Sequence, residues 1–104
     1  MRYPHLCSEG TIGKVVTRNR VVMEPMGTGM ANYDGTPSQQ LIDYYGERAK
    51  NGLGLLIVEV TRVNSVHGAT IPRQLSMAHD RHIAPFAASG NTGPSSSSLI
   101  CWWR

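Results

Sequence analysis

The sequence predicts an α/β chain carrying two β/α units, and three features carry that prediction. An apolar run, Arg20-Val21-Val22-Met23, ends abruptly at Pro25-Met26-Gly27; a capped amphipathic stretch follows; a second apolar run then extends from Leu53 to Val63. Strand, loop, helix, strand in that order is a βαβ unit, whose strands lie parallel and adjacent with a right-handed crossover.

Each element has its own signal. Ile12 to Val16, after Ser8-Glu9-Gly10, reads as a small strand or hairpin arm, and Thr17-Arg18-Asn19 closes it. Arg20 to Met23 is β-branched and nearly uniformly apolar, which predicts burial on both faces as in a parallel sheet. Proline cannot continue the ladder and glycine lets other atoms approach closely, so Pro25-Met26-Gly27 predicts an exposed backbone corner of the kind that holds ligands. The loop from Gly27 to Gly35 ends in Asn32-Tyr33-Asp34-Gly35, a turn signal.

The helix start is signalled by Thr36 as cap, Pro37 at the first helical position and Gln39 completing a capping box. The predicted helix runs from Pro37 to Asn51 with Leu41, Ile42, Tyr45 and Ala49 as its inner stripe, Asp43, Glu47 and Lys50 in water, and Gly52 as its stop. Leu53 to Val63 is then a buried strand with a polar end. The loop from Asn64 to Met77 leads to Asp80, a cap for a second helix through Ile83, Phe86 and Ala87. Nothing in these repeats closes them.

Beyond Ala88 the composition changes: Ser89 to Ser98 is low-complexity, and Leu99 to Arg104 is an isolated apolar stub with Trp102 and Trp103. Residues 89–104 therefore read as a disordered linker or as a stretch translated out of frame.

Charge and composition exclude several classes. The net charge of +3 comes from ten Lys/Arg against seven Asp/Glu with the signs interspersed, so no basic stripe tracks a phosphate backbone and no nucleic-acid partner is expected. Cys7 and Cys101 stand in no ligand spacing, and no run is long enough to span a bilayer, so the expected location is the cytoplasm, with no membrane partner. His79 and His82 are three apart but lack further ligands, which predicts a solvated helix face and no metal; His67 is expected on an exposed loop. Tyr44 and Tyr45 read as helix packing. Gly27-Thr28-Gly29-Met30-Ala31-Asn32 fails as a dinucleotide fingerprint at its third glycine.

Longer motifs carry a family resemblance. Tyr3-Pro4-His5-Leu6, Gly10-Thr11-Ile12-Gly13, Asn19 to Gly27 and Tyr44 to Leu55 occur in the order that resembles the start of the Old Yellow Enzyme family, which includes NADH:flavin oxidoreductases and 2,4-dienoyl-CoA reductases. The resemblance covers residues 3 to about 88. It implies the first two β/α units of a TIM (β/α)8 barrel, truncated, with FMN over the C-terminal ends of the strands. It further implies NAD(P)H as reductant and a small-molecule substrate with an activated C=C bond.

The resemblance carries flavin contacts onto Pro25, Met26, Gly27 and Thr28 after the first strand, and onto Val60 at the end of the second. Gly27 stands where many members have threonine or cysteine, Glu24 where a small residue is common, and Val60 where alanine or glycine is common. The family's glutamine, histidine and phosphate-binding positions have no counterparts in these residues. The resemblance thus implies an FMN-dependent oxidoreductase whose activity these 104 residues alone do not supply, with no catalytic residue assigned among them. The alternative is a noncatalytic fragment or an interaction peptide using Trp102-Trp103.

Overall fold

The computed structural model describes residues 2–90 and the backbone of residues 98–103. One helical turn, α1 (Pro4–Cys7), leads into a hairpin of β1 (Gly10–Ile12) and β2 (Val15–Thr17), antiparallel with Thr11 opposite Val16. The expected hairpin arm is therefore a complete hairpin around the two-residue turn Gly13-Lys14, and the Arg20 amide bonds the Leu6 carbonyl at 3.0 Å behind it.

The first strand of the main sheet, β3, is only Val22–Met23, shorter than the apolar run predicts. It lies parallel to β4 (Leu55–Arg62), with Val22 opposite Leu55 and Met23 opposite Leu56, as the βαβ reading requires. Burial on both faces holds for β4 but not for β3, where Val22 is 45% exposed. Met23 packs against the core while Val22 points away from it, so the uniform apolar run overstated the cover.

Between these strands lies α2 (Gln39–Lys50). Its N-cap is Ser38, whose Oγ accepts the Leu41 amide at 3.1 Å and donates to the Met30 carbonyl. This corrects the expected Thr36 cap and Thr36/Gln39 capping box. Asp34 competes for Thr36, accepting from its hydroxyl at 2.7 Å and its amide at 3.0 Å, so Thr36 closes the preceding turn and the helix starts later. Asn51 is the C-cap and Gly52 follows with φ 95°, the left-handed conformation glycine adopts freely. Leu41 and Ala49 are buried and Ile42 and Tyr45 half-buried, so the predicted stripe is the inward face, joined by buried Gly46.

The core consists of Ala31, Leu41, Leu56, Val58 and Leu75, with Met23, Met30, Tyr45, Leu53 and Phe86 against it. Leu75 belongs to β5 (Leu75–Ser76), a parallel partner for Thr61–Arg62 inside what the sequence suggests is loop. A 3₁₀ turn, Asp80–His82, is capped at His79 rather than at Asp80 and runs into α3 (Ile83–Gly90). Residues 91–97, most of the low-complexity stretch, lie outside the described residues. Ser98–Trp103 forms β6, parallel to β4 with Leu56 opposite Leu99 and a register irregularity between Val58 and Thr61. The stub's composition did not suggest an element, although an unbroken run of Leu99-Ile100-Cys101-Trp102-Trp103 has strand propensity. Among the described residues no helix is long and apolar enough to cross a membrane.

Candidate functional site

The chain turns out of β3 at Glu24, and Pro25, Met26 and Gly27 are exposed as expected of a backbone corner. Met26, 59% exposed, lines a shallow hollow with Met23, Arg48, Asn51 and Leu53. Gly27 lies beside two apolar side chains. A Cβ there would stand 2.8 Å from Ile71 Cδ1 and 3.9 Å from Val60 Cγ1. The fold thus brings the corner and Val60 together at the C-terminal end of the two parallel strands, and adds Ile71 from the loop after β4. Among the described residues, the amides of Met26 and Gly27 donate to nothing.

Thr28 turns the other way. Its amide donates to Glu59 Oε2 at 2.9 Å and its hydroxyl to Glu59 Oε1 at 2.7 Å, while Thr28 Oγ1 accepts the Met30 amide at 3.3 Å. Glu59 is fully buried, and its Oε1 also accepts the Tyr45 hydroxyl at 3.2 Å. The Tyr45 oxygen in turn accepts the Glu59 amide at 3.1 Å. A buried carboxylate is costly unless several donors reach it, and here three do. Burial first, then the neighbouring Glu59 carboxylate, pushes the Tyr45 phenol well above its ordinary value, although the bond from the Glu59 amide acts in the opposite direction. Tyr45 is therefore both packing, as expected, and a polar partner.

Ile71 is held by Gln74, which is 1% exposed. Gln74 Oε1 accepts the Thr70 amide at 2.7 Å, the Thr70 hydroxyl at 3.1 Å and the Ile71 amide at 3.3 Å, and its Nε2 donates to the Gly68 carbonyl at 3.4 Å. Next to it, Arg73 has a positive φ of 52° and donates from Nε to the Ala31 carbonyl at 2.8 Å, while its own carbonyl accepts the Ala31 amide at 3.2 Å. These bonds hold a backbone conformation that costs about 1–3 kcal/mol elsewhere. The two loops that flank the corner are thereby tied to each other.

The histidine pair departs from expectation. His82 is not on a solvated face: its Nδ1 lies 3.2 Å from the His79 amide and its Nε2 lies 3.0 Å from the Asp34 carbonyl. His67 is exposed as expected.

The sequence reading missed Glu59 and Gln74. A glutamate inside a continuous apolar strand was the available signal, since such a charge is kept there only when donors reach it.

Known proteins resemble this chain in sequence and in fold. Residues 10–89 match the profile of the NADH:flavin oxidoreductase / NADH oxidase family. An NADH oxidase from Thermoanaerobacter brockii is 49% identical over 84 residues, 81% of this chain and 13% of that protein. A cinnamate reductase from Clostridium sporogenes is 44% identical over 63 residues, 59% of this chain and 10% of that protein. The chain thus spans about an eighth or less of the length of these two relatives. Among solved structures, an old yellow enzyme homologue from Zymomonas mobilis superposes with a TM-score of 0.80 at 23% identity, over 96% of this chain and 28% of that one. At that identity the likeness speaks for the fold: α/β units of a TIM barrel.

Proposed function

The chain belongs to the NADH:flavin oxidoreductase / NADH oxidase family, and from that premise we propose that it supplies one wall of an FMN site in an NAD(P)H-dependent reductase of electron-poor C=C bonds. The observation that carries this reading is the Gly27 corner, with Val60 and Ile71 beside it and two undonated amides at Met26 and Gly27. A flat, largely apolar ring with hydrogen-bonding edges needs this combination of close backbone approach, apolar flanks and exposed N–H groups. A threonine or cysteine at position 27 would displace Ile71, so glycine fits this particular flank.

FMN, when bound, accepts a hydride from NAD(P)H and delivers it to the substrate. Pro25, two residues past β3, has no N–H with which to continue the ladder. Met26 and Gly27 would offer the flavin their amides, Val60 and Ile71 would shield its flank from water, and Thr28 anchors the corner through Glu59. No residue of this chain is assigned as a proton donor to substrate. The relative named cinnamate reductase supports an unsaturated acid as the substrate class.

The 104 residues alone are expected to give no turnover. The test is complementation: the chain is co-expressed with the remaining β/α repeats of the Thermoanaerobacter NADH oxidase, and bound flavin and NADH-dependent cinnamate reduction are measured. Flavin and turnover only in the complemented sample support the reading. Turnover by the chain alone, or a folded complemented barrel without flavin, overturns it.

A further inference from the structure

We propose that Glu59 is the positioning residue of the corner: by taking both donors of Thr28 it withdraws Thr28 from cofactor contact and leaves the Met26 and Gly27 amides as the outward donors. The inference rests on the flavin-wall reading above for what the corner faces. The latch itself rests only on distances within the chain.

Thr28 has two donors, its amide and its hydroxyl. Both end on Glu59, at 2.9 Å and 2.7 Å, and the hydroxyl oxygen already accepts the Met30 amide. Nothing is left on Thr28 to donate to a ligand. Glu59 is fixed in turn, because it has no solvent exposure and Tyr45 holds it at both its carboxylate and its main-chain amide. Helix α2, strand β4 and the corner after β3 are thus joined through one carboxylate. The carboxylate is suited to this because it is acceptor-only and charged; glutamine has one acceptor oxygen for the same three donors, and its NH₂ group would either oppose the Thr28 amide or require the Thr28 and Tyr45 hydroxyls to reverse and accept.

The latch differs from general support in what it predicts residue by residue. In the intact 104-residue chain, amide hydrogen exchange followed by NMR should show Thr28 protected and Met26 and Gly27 unprotected. Glu59→Gln should speed Thr28 exchange about tenfold or more, the loss expected for a buried charge-assisted hydrogen bond. The amides of Leu56 and Val58, which report global opening, should change much less. Thr28→Val should speed exchange at Met30, whose amide bonds the Thr28 hydroxyl, Thr28→Ser should restore the native pattern, and the double variant with Glu59→Gln should be no worse than either single one. If Glu59→Gln does not fold, the Thr28→Val and Thr28→Ser pair decides the question.

Equal exchange at Thr28 and Gly27 in the unaltered chain, failure of Thr28→Ser to restore protection, or additive effects in the double variant would overturn the latch. FMN titrated into the flavin-free complemented barrel gives a separate arm. Shifts at the Met26 and Gly27 amides with Thr28 still protected support the proposal, and loss of Thr28 protection on binding overturns it. An absence of any FMN-induced shift counts against the flavin wall alone, because the exchange data judge the latch without ligand.

Discussion

The Nε2 of His82 lies 3.0 Å from the main-chain oxygen of Asp34, joining the start of the last described helix to a turn 48 residues earlier. Asp34 offers only a carbonyl there, so Nε2 is the donor in this contact, while Nδ1 lies 3.2 Å from the His79 amide and 3.1 Å from the His79 carbonyl. The ring is 1% exposed, so both contacts are made without competition from water. His82→Ala should therefore leave a cavity and two unpaired main-chain groups, lowering stability by about 2–4 kcal/mol in a urea titration. A loss under about 0.5 kcal/mol, the range of surface substitutions, would refute this role.

Tyr45 makes stability depend on alkaline pH. Its phenol is raised above the unfolded value of about 10, first by burial and then by the Glu59 carboxylate. A group whose folded pKa is raised contributes fully below the unfolded value and loses that contribution as pH climbs toward the folded one. Stability should thus fall with pH above about 10, and Tyr45→Phe should remove that part of the slope. At pH 7 the same variant should cost about 1–3 kcal/mol, because the Glu59 amide loses its acceptor and the carboxylate loses a donor. An unchanged alkaline slope in the variant would show that other groups carry it.

Local patterns in the sequence were sufficient for β4, α2 and their parallel arrangement with β3, since runs of apolar residues, caps and turn residues act over a few positions. Leu41 and Ala49 could be placed inward from spacing alone, and Gly27 and Val60 could be placed near each other through the family resemblance. Glu59 could not be understood that way. Its donors come from Thr28, 31 residues before it, and Tyr45, 14 before it, and no window holds all three. Gln74 was hidden for a related reason: it satisfies a loop's own amides at Thr70 and Ile71, so a polar residue in a polar segment is buried. The misplaced cap shows two local signals in competition. Thr36 and Ser38 both suit an N-cap, and Asp34 decides between them by binding Thr36 first.

That competition can be measured. Ser38→Ala removes the acceptor for the Leu41 amide and the donor to the Met30 carbonyl. The expected loss is about 1–2 kcal/mol, the upper part of the range for a cap, because the site is largely buried. Thr36→Val should leave the start of α2 in place, and its effect should appear at Asp34. The Thr36 hydroxyl, followed by the Thr36 amide, holds that carboxyl below its ordinary value, so removing the hydroxyl should move its NMR titration midpoint upward. Loss of helical signal from α2 in Thr36→Val, with Ser38→Ala neutral, would return the cap to Thr36.

Two glycines should respond differently to the same added methyl group. At Gly35 φ is 87°, and a Cβ would stand 2.3 Å from Ser76 Cβ and 3.1 Å from the Ser76 nitrogen, whose amide is bonded to the Gly35 carbonyl at 2.9 Å. Neither side can yield without breaking the contact between the turn and β5, so Gly35→Ala should cost at least about 2–3 kcal/mol and lower the soluble yield. At Gly27 the nearest obstacle is the terminal Cδ1 of Ile71, the far end of a flexible side chain, so Gly27→Ala should cost less than about 1 kcal/mol. Its effect should fall on the ligand-facing side. In the complemented barrel, the added Cβ would lift the flank away from the Gly27 backbone and weaken FMN binding, and Gly27→Ala combined with Ile71→Val should recover part of that loss. A Gly27→Ala protein that binds FMN as tightly as the unaltered barrel would show that the cofactor does not approach this backbone closely.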